Sequence, residues 1–277
     1  MIIDRLIDRI IELKNPTVVG LDPIFEPLDN ILKFNIAIID AIYDIVPAVK
    51  PQISFYEQHG AAGVDIFIKT IKYAKSKGLF VISDIKRGDI ASTAEAYASS
   101  HLGEIYNADF ATVNPYMGYD SVSPFIDICK KNDKGIFVLV KTSNKGSNQI
   151  QNLDINGKYL YEIVGNYVLD WGRDFVGKYG YSNICAVVGA TYPEELKNLR
   201  SLLPSVFFLV PGYGAQGGSA NSIKNAFSES GLGAIINSSR AIIYANKIEK
   251  YKNLKFQDAA RQAALDMKEE LNYEKYL

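Results

Sequence analysis

The stretch Ser83-Asp84-Ile85-Lys86-Arg87-Gly88-Asp89-Ile90 is the part of this sequence that decides the fold. It follows the apolar run Gly78 to Ile82, which is typical of a buried strand in a parallel sheet. Asp84 and Lys86 lie two residues apart, so on an extended strand their side chains point the same way. A glycine then lets the chain turn before Asp89. Three charged groups at the end of a buried strand are costly unless they pair or have a function.

Two interpretations of this stretch are open. Asp84 and Lys86 could form a structural ion pair at the end of the strand. The carboxyl ends of parallel strands are also where α/β proteins place their active sites. The third charge, Asp89, and the polar residues that follow the other strands favour the second interpretation.

Short apolar runs recur along the chain and predict eight strands. They are Thr17 to Leu21, Ala48 to Lys50, Leu79 to Asp84, Phe110 to Val113, Gly135 to Lys141, Ile184 to Val188, Val206 to Val210 and Ala234 to Asn237. Amphipathic patterns predict helices at Asn30 to Val46, Glu57 to Lys77, Ser92 to Tyr106, Ser121 to Lys131, Lys158 to Lys178, Pro193 to Leu203, Ser219 to Glu229, Arg240 to Lys250 and Phe256 to Leu271.

This alternation predicts an α/β protein with a (β/α)8 barrel. An open doubly wound sheet is the alternative, but no GxGxxG motif follows the first strand. The sequence contains no linker and no low-complexity segment. We therefore expect a single domain over residues 1–277, with a C-terminal helix at about 256–271.

Composition narrows the classes of function. Lys plus Arg number 30 and Asp plus Glu 31 among 277 residues, which indicates neither a nucleic-acid nor a membrane partner. No apolar run reaches the ~18 residues that span a bilayer. The N-terminus lacks a signal-peptide pattern, and Cys129 and Cys185 form no CxxC motif, so we expect a cytoplasmic protein without a disulfide framework or zinc site. His59 and His101 are expected to be polar helix residues rather than catalysts.

Polar side chains follow nearly every predicted strand and predict a polar ring at one mouth of the barrel, suited to a small polar metabolite. The ring comprises Asp22, Lys50, Gln52, Asp84, Lys86, Asp89, Lys141 to Asn144, Thr191, Gln216 and Asn237 to Arg240. The polar segment Thr142 to Gly157 is long for a loop, which favours a lid over a simply disordered connection.

The loops after strands seven and eight predict a phosphate site. Pro211 to Gly218 holds four glycines in eight residues, so backbone amides there can approach an anion closely. Arg240 stands at the start of a predicted helix and can add a bidentate contact. The alternative for Arg240 is an ordinary solvated surface arginine.

Seven segments, in order from about Thr17 to Ala245, resemble the orotidine 5′-phosphate decarboxylase family, most closely its longer bacterial subfamily. They are G-L-D-P, V-K-P-Q-I-S-F-Y-E, S-D-I-K-R-G-D-I-A-S-T-A, L-V-K-T-S-N, V-V-G-A-T-Y-P-E, P-G-Y-G-A-Q-G-G and N-S-S-R-A-I-I-Y-A. The resemblance implies a homodimeric barrel with shared active sites that uses neither metal nor cofactor. It also implies the conversion of orotidine 5′-phosphate to uridine 5′-phosphate and carbon dioxide in pyrimidine biosynthesis.

The resemblance further implies roles for individual residues. Lys86 would protonate C6 of the pyrimidine, and Asp84 would sit beside the substrate carboxylate. Lys50 and Asp22 would hold the ribose hydroxyls and the charge network, while Asp89 and Thr93 would reach the site of the other subunit. Ser143 would meet the pyrimidine edge, and Gln216 and Arg240 would grip the phosphate. Ser239 stands where many relatives have glycine, and it would lie on the phosphate side.

The chemistry of the residues agrees with these roles. Loss of carbon dioxide from C6 leaves an electron pair with no adjacent sink, and the sequence has no cofactor motif to supply one. A lysine held at C6 can stabilise the developing charge and then donate a proton.

Two rival functions remain open. A magnesium-dependent aldolase or decarboxylase of a sugar phosphate would need further carboxylates, for which Glu57 is a candidate, whereas Lys50 would oppose a cation. A non-catalytic phosphate-binding protein would have no need of the charged set at the third strand.

Overall fold

Eight parallel strands close a barrel in the computed structural model, which describes residues 1–24, 27–191, 193–213, 223–271 and 273. Around the barrel the strands follow their order in the sequence, and the last pairs with the first. They are β1 (Thr17–Leu21), β2 (Ala48–Pro51), β3 (Phe80–Arg87), β4 (Phe110–Val113), β5 (Gly135–Lys141), β8 (Ile184–Val188), β9 (Phe208–Val210) and β10 (Ala234–Ser238). A small antiparallel hairpin, β6 (Asp154–Ile155) and β7 (Lys158–Tyr159), lies between β5 and β8. The predicted (β/α)8 barrel is confirmed.

Helices follow the strands and cover the outside of the barrel. They are α2 (Leu28–Ile42), α3 (Ser54–Glu57), α4 (Gly60–Ser76), α5 (Ala91–Leu102), α6 (Tyr119–Asn132), α7 (Leu160–Trp171), α8 (Pro193–Leu202), α9 (Arg240–Ile243) and α10 (Phe256–Leu271). Because helices cover the sheet and side chains fill its interior, β1, β2, β4, β8, β9 and β10 are buried at every residue.

An additional helix, α1 (Ile2–Leu13), precedes the first strand and was missed by the sequence analysis. Its buried residues Ile3, Ile7 and Ile10 recur at helical spacing, a signal that could have found it. The backbone N–H of Ile2 donates to Asp133 Oδ1 at 2.8 Å, just before β5. The N–H of Ile3 donates to Asn183 Oδ1 at 3.2 Å, just before β8. The helix thus covers the amino end of the barrel, opposite the predicted site.

Four strand predictions were wrong at their ends, and two of them, those for β2 and β10, stopped one residue short. The third strand continues to Arg87, three residues beyond its predicted end, and so includes Lys86. The seventh begins at Phe208 rather than Val206. The backbone of Val206 is used elsewhere, because its N–H donates to Leu203 and its carbonyl accepts from Arg200.

Several predicted helices are shorter or broken. The one predicted over Glu57 to Lys77 divides at Gly60, whose φ of 65° is left-handed and does not continue a helix. The one over Lys158 to Lys178 ends at Trp171. Of the helix predicted over Ser219 to Glu229, residues 219–222 lie outside the described residues, and a single 3-10 turn covers Lys224–Ala226.

Of the last two predicted helices, the first was wrong and the second is confirmed. The helix predicted over Arg240 to Lys250 is the four-residue α9 followed by two 3-10 turns. The C-terminal helix α10 has its predicted ends and packs on the barrel, where Phe256 stacks on Phe34 with ring centroids 5.2 Å apart. Within the described ranges, no helix combines the length and apolar character needed to cross a membrane.

Candidate active site

Asp84 lies between two lysines at the carboxyl end of β3. Its Oδ2 accepts a hydrogen bond from Lys50 Nζ at 2.7 Å, and its Oδ1 accepts one from Lys86 Nζ at 2.6 Å. Thr112, on the neighbouring strand β4, donates its hydroxyl to Oδ1 at 2.9 Å. Asp84 and Lys50 are each only 5% exposed, so both charges depend on this pairing.

The electrostatics keep the buried pair of Asp84 and Lys50 ionised. Burial pushes the pKa of Asp84 upward, but the ammonium groups of Lys50 and Lys86 outweigh burial and hold that pKa well below its usual range. Burial likewise pulls the pKa of Lys50 downward. The negative charges of Asp84 and Asp22 outweigh this effect and raise the pKa above its ordinary value.

Lys86 reaches Asp84 by a different route from the one predicted. The strand is irregular between Ser83 and Arg87, and Lys86 has a φ of 45°, so the backbone there is not extended. Thr112 Oγ1 stabilises this turn by accepting the N–H groups of both Ile85 and Lys86, each at 2.9 Å. The Lys86 side chain remains 43% exposed, so its ammonium contacts both the buried carboxylate and the open mouth of the barrel.

Gly88 has a different role from the predicted turn. It is absent from the residues with positive φ, and the left-handed positions are Lys86 and Ala91 instead. A Cβ on Gly88 would lie 2.9 Å from the carbonyl oxygen of Asn114, so glycine is needed for close approach between two loops. Asp89 is half-buried and accepts the N–H of Ile90 at 2.8 Å, and Thr93 is exposed in the first turn of α5.

A polar cavity of about 160 Å³ opens beside Lys50. The sequence-predicted residues Asp22, Lys50, Ser239 and Arg240 all line it, and Arg240 is the first residue of α9. Gly20 is required here, since a Cβ on it would lie 1.8 Å from Ser239 Oγ. The predicted phosphate contact Gln216 lies outside the described residues.

Two buried oxygen atoms of this cavity have no hydrogen-bond partner within the described ranges. They are Oδ1 of Asp22 and Oδ1 of Asn237. Since buried polar atoms are nearly always satisfied, these acceptors suit the hydroxyl groups of a bound ligand. Asn237 and Tyr213, another lining residue, were not predicted as site residues, although Asn237 lies in the polar ring.

Ser143 lies two residues beyond the end of β5, outside the residues that line this cavity. Its backbone packs against Gly189, where a Cβ would come within 2.9 Å of the Ser143 nitrogen. Its carbonyl accepts the hydroxyl of Thr191 at 3.3 Å. The predicted lid over Thr142 to Gly157 contains a 3-10 helix at Lys145–Gln149 and one strand of the small hairpin. Whether it closes over a ligand stays a prediction.

Three further polar residues, one threonine and the two histidines, lie near the site or were considered as catalysts, and the structure places each of them. Thr112 hydrogen-bonds to both Asp84 and the backbone of the Lys86 turn. The sequence analysis did not predict it as a site residue, although a polar threonine within the apolar run of β4 pointed to such a role. His101 lies in α5 as expected but is 3% exposed, and burial lowers its pKa to about 3. Its Nδ1 pairs with Ser83 Oγ at 2.9 Å. His59 immediately precedes α4.

The structure offers little to a metal ion in the part of the chain that it describes. No group of three or more His, Cys, Asp or Glu side chains is placed there to hold one. Glu57, the candidate ligand for a magnesium enzyme, forms an ion pair with Arg87.

Comparison with known proteins yields consistent matches over nearly the whole chain. The model of the orotidine 5′-phosphate decarboxylase / HUMPS family matches residues 17–253. The orotidine 5′-phosphate decarboxylase of Petrotoga mobilis is 44% identical, covering 99% of both chains. Among solved structures, the Leishmania donovani OMP decarboxylase superposes with a TM-score of 0.81 at 33% identity, covering 98% of this chain and 99% of that one.

A second Leishmania donovani structure, a UMP synthase, gives a TM-score of 0.82 at 37% identity. The match covers 98% of this chain and 55% of that protein, so this chain spans about half its length.

Proposed function

The chain belongs to the orotidine 5′-phosphate decarboxylase / HUMPS family, and from this premise we propose that it decarboxylates orotidine 5′-phosphate to uridine 5′-phosphate. The observation that carries the proposal is the buried Asp84 held between Lys50 and Lys86 at the mouth of the barrel. Lys50 also lines the cavity that contains Arg240, so the charged array adjoins a polar cavity with an arginine for a phosphate.

In the proposed reaction the bond between C6 and the carboxylate breaks and carbon dioxide leaves. The electron pair stays on C6, and Lys86 donates its proton there, after which solvent restores the ammonium. The lysine stabilises the negative charge while it develops, which is the step that has no adjacent electron sink. Asp84 holds the Lys86 ammonium in place through the 2.6 Å contact and would lie beside the substrate carboxylate.

The substrate contacts follow from the same arrangement. Asp22 and Lys50 would bind the ribose hydroxyls, and the unpartnered Oδ1 of Asp22 supports this role. Arg240 and Ser239, at the start of α9, would bind the phosphate together with Gln216. Ser143 would meet the pyrimidine edge. We propose that the reaction needs neither metal nor cofactor, since the ammonium of Lys50 occupies the position beside Asp84 where a cation would bind.

A homodimer with shared sites is part of the proposal. Gly88 packs closely on Asn114, so the loops after β3 and β4 adjoin. Both loops expose large apolar side chains, including Ile90 at 50%, Tyr116 at 83% and Met117 at 47%. Exposed apolar patches of this kind mark interaction surfaces, and a second copy covering this one would bring Asp89 and Thr93 towards the neighbouring site.

We further propose a cytoplasmic location, supported by the free, buried thiols of Cys129 and Cys185. Burial raises the pKa of both thiols, so neither is a reactive thiolate.

The test is turnover of orotidine 5′-phosphate by the purified chain, followed by the change in absorbance as uridine 5′-phosphate forms. We expect equal rates with and without excess EDTA. Loss of activity in EDTA that Mg²⁺ restores would instead support the magnesium-dependent enzyme. Tight binding of uridine 5′-phosphate without turnover would identify a phosphate-binding protein, and either result would overturn the proposal.

A further inference from the structure

Lys141, the last residue of β5, is a lysine buried to 1% exposure outside the proposed catalytic array. Its Nζ donates to Asn148 Oδ1 at 3.1 Å and to Asn152 Oδ1, and lies 3.4 Å from Glu195 Oε2. It also lies 5.4 Å from the ring centre of Tyr161. A buried ammonium is costly unless it is paired, so this lysine and its partners act as one unit.

The three partners of Lys141 named above come from two regions of the fold. Asn148 belongs to the 3-10 helix after β5, and Asn152 lies just before the small hairpin. Glu195 stands in the first turn of α8, where its Oε1 accepts a hydrogen bond from Asn152 Nδ2 at 3.1 Å. One ammonium therefore joins the end of β5 to the long segment that follows it and to α8, the helix after the neighbouring strand β8.

Ser143 lies two residues from Lys141, between two fixed neighbours. On one side, Thr142 exchanges two hydrogen bonds of 2.9 Å with the side chain of Gln151, one residue before Asn152. On the other, the Ser143 backbone packs on Gly189 and bonds to Thr191. Movement of the segment held by Lys141 would carry Thr142 with it and change the position of the Ser143 side chain.

We propose that Lys141 is a positioning residue for recognition of the pyrimidine base. It acts through Asn148, Asn152 and Glu195 to place Ser143, and it need not touch the substrate. This inference rests on the proposed function, because it assigns Ser143 to the base. The phosphate contacts at α9 and the proton donor on β3 belong to other elements, so loss of Lys141 should affect the base alone.

The experiment compares two ligands, uridine 5′-phosphate and ribose 5-phosphate, by calorimetric titration. They share the phosphate and ribose, so the ratio of their dissociation constants measures the contribution of the base. Lys141→Met should weaken uridine 5′-phosphate about 10-fold and ribose 5-phosphate by less than ~2-fold, a selective loss typical of one interaction. Lys141→Arg should restore part of the ratio.

Four further variants make the test specific. Ser143→Ala should reduce the same ratio, and Lys141→Met combined with it should cause no further loss, because coupled residues are not additive. Lys145→Met removes an exposed lysine from the same segment and should leave both ligands unchanged. Asn152→Ala removes one partner and keeps the lysine paired with Asn148 and Glu195, so it provides a milder variant if Lys141→Met does not fold.

Equal weakening of both ligands, or full additivity of Lys141→Met with Ser143→Ala, would show a general structural role and overturn the inference. An unchanged ratio in Lys141→Met would do the same, as would an unchanged ratio in Asn152→Ala if Lys141→Met does not fold. These outcomes differ from failure of the proposed function, in which the unmodified chain itself does not turn over orotidine 5′-phosphate.

Discussion

Two clusters of one aspartate between two lysines lie at opposite ends of the barrel. At the carboxyl end, Asp84 pairs with Lys50 and Lys86. At the amino end, Asp109 pairs with Lys75 at 2.5 Å and lies 3.7 Å from Lys134. The two aspartates are almost equally buried, at 5% and 6% exposure. Composition and burial alone do not distinguish them.

Their partners do distinguish them. Asp109 Oδ2 accepts the backbone N–H of Val81 at 2.9 Å, so this carboxylate ties β4 to β3. Burial, the largest effect, lowers the pKa of Lys134 despite the nearby Asp109. Asp84, by contrast, accepts hydrogen bonds from three side chains, and one of these, Lys86, faces the open mouth. Charge that satisfies the backbone stabilises the fold, whereas charge that holds an exposed ammonium is available for chemistry.

The largest expected effect separates the two clusters directly. Lys86→Ala should lower kcat/KM at least about 1,000-fold, or about 4 kcal/mol of transition-state stabilisation, because it removes the proton donor. Lys75→Ala, the matched change at the amino end, should leave kcat/KM within about 2-fold and lower the free energy of unfolding by about 2 kcal/mol. Steady-state kinetics and urea unfolding of both variants check this. Comparable losses of kcat/KM in the two variants would contradict the assignment of a catalytic role to one cluster and a structural role to the other.

A second prediction concerns whether Arg240, at the start of α9, binds the phosphate of the substrate at the carboxyl end of the barrel. Arg240→Ala should lower kcat/KM for orotidine 5′-phosphate about 100-fold more than for the phosphate-free nucleoside, because a charged hydrogen bond to the phosphate is lost. Both substrates are measured in both enzymes. An equal proportional loss would make Arg240 the ordinary surface arginine that the sequence also allowed.

A third prediction asks whether Asp89 of one subunit completes the site that contains Lys86 of the other. Lys86→Ala and Asp89→Ala homodimers should each be nearly inactive. Mixing them with subunit exchange makes about half of the dimers mixed, each with one intact site of two, so about a quarter of the unmodified activity should return. The exchange is verified by mass spectrometry. If exchange occurs and activity stays absent, Asp89 acts within its own subunit.

The smallest effect is the pH dependence of stability. The pKa of Asp84 is lower in the folded chain than in the unfolded one, so its contribution is complete above the unfolded value of about 3.9 and is lost as the pH falls towards the folded value. The difference in free energy of unfolding between the unmodified chain and Asp84→Asn should therefore shrink by about 1 kcal/mol from pH 7 to pH 3.

Urea unfolding at the two pH values measures this difference. Asp65→Asn, in an exposed pair with Lys69, is the control and should differ little from the unmodified chain at either pH. A difference for Asp84→Asn that is constant or grows at pH 3 would contradict the cause given for the low pKa.

Local sequence patterns determine much of the secondary structure and the location of the site. The ends of β1, β4, β5, β8 and α10 were predicted to the residue, because runs of apolar side chains bounded by polar ones carry the signal of a buried strand or amphipathic helix. The polar residues after the strands were also predictable, because parallel strands must bring their carboxyl ends to one mouth. Asp22, Lys50, Asp84 and Lys86 meet there for that reason.

Only the tertiary structure decided how those residues meet. Local spacing predicted that Asp84 and Lys86 point the same way from an extended strand end. The backbone at Lys86 is instead a left-handed turn, which is stabilised by Thr112, a residue 26 positions away on another strand. Gly88 is needed because Asn114 approaches it closely, and the buried Lys141 forms an ion pair with Glu195. Both partners are likewise distant in sequence. Sequence periodicity reports how one segment divides between core and solvent. Close approaches and buried pairs depend on which segments become neighbours, and that is determined only when the barrel closes.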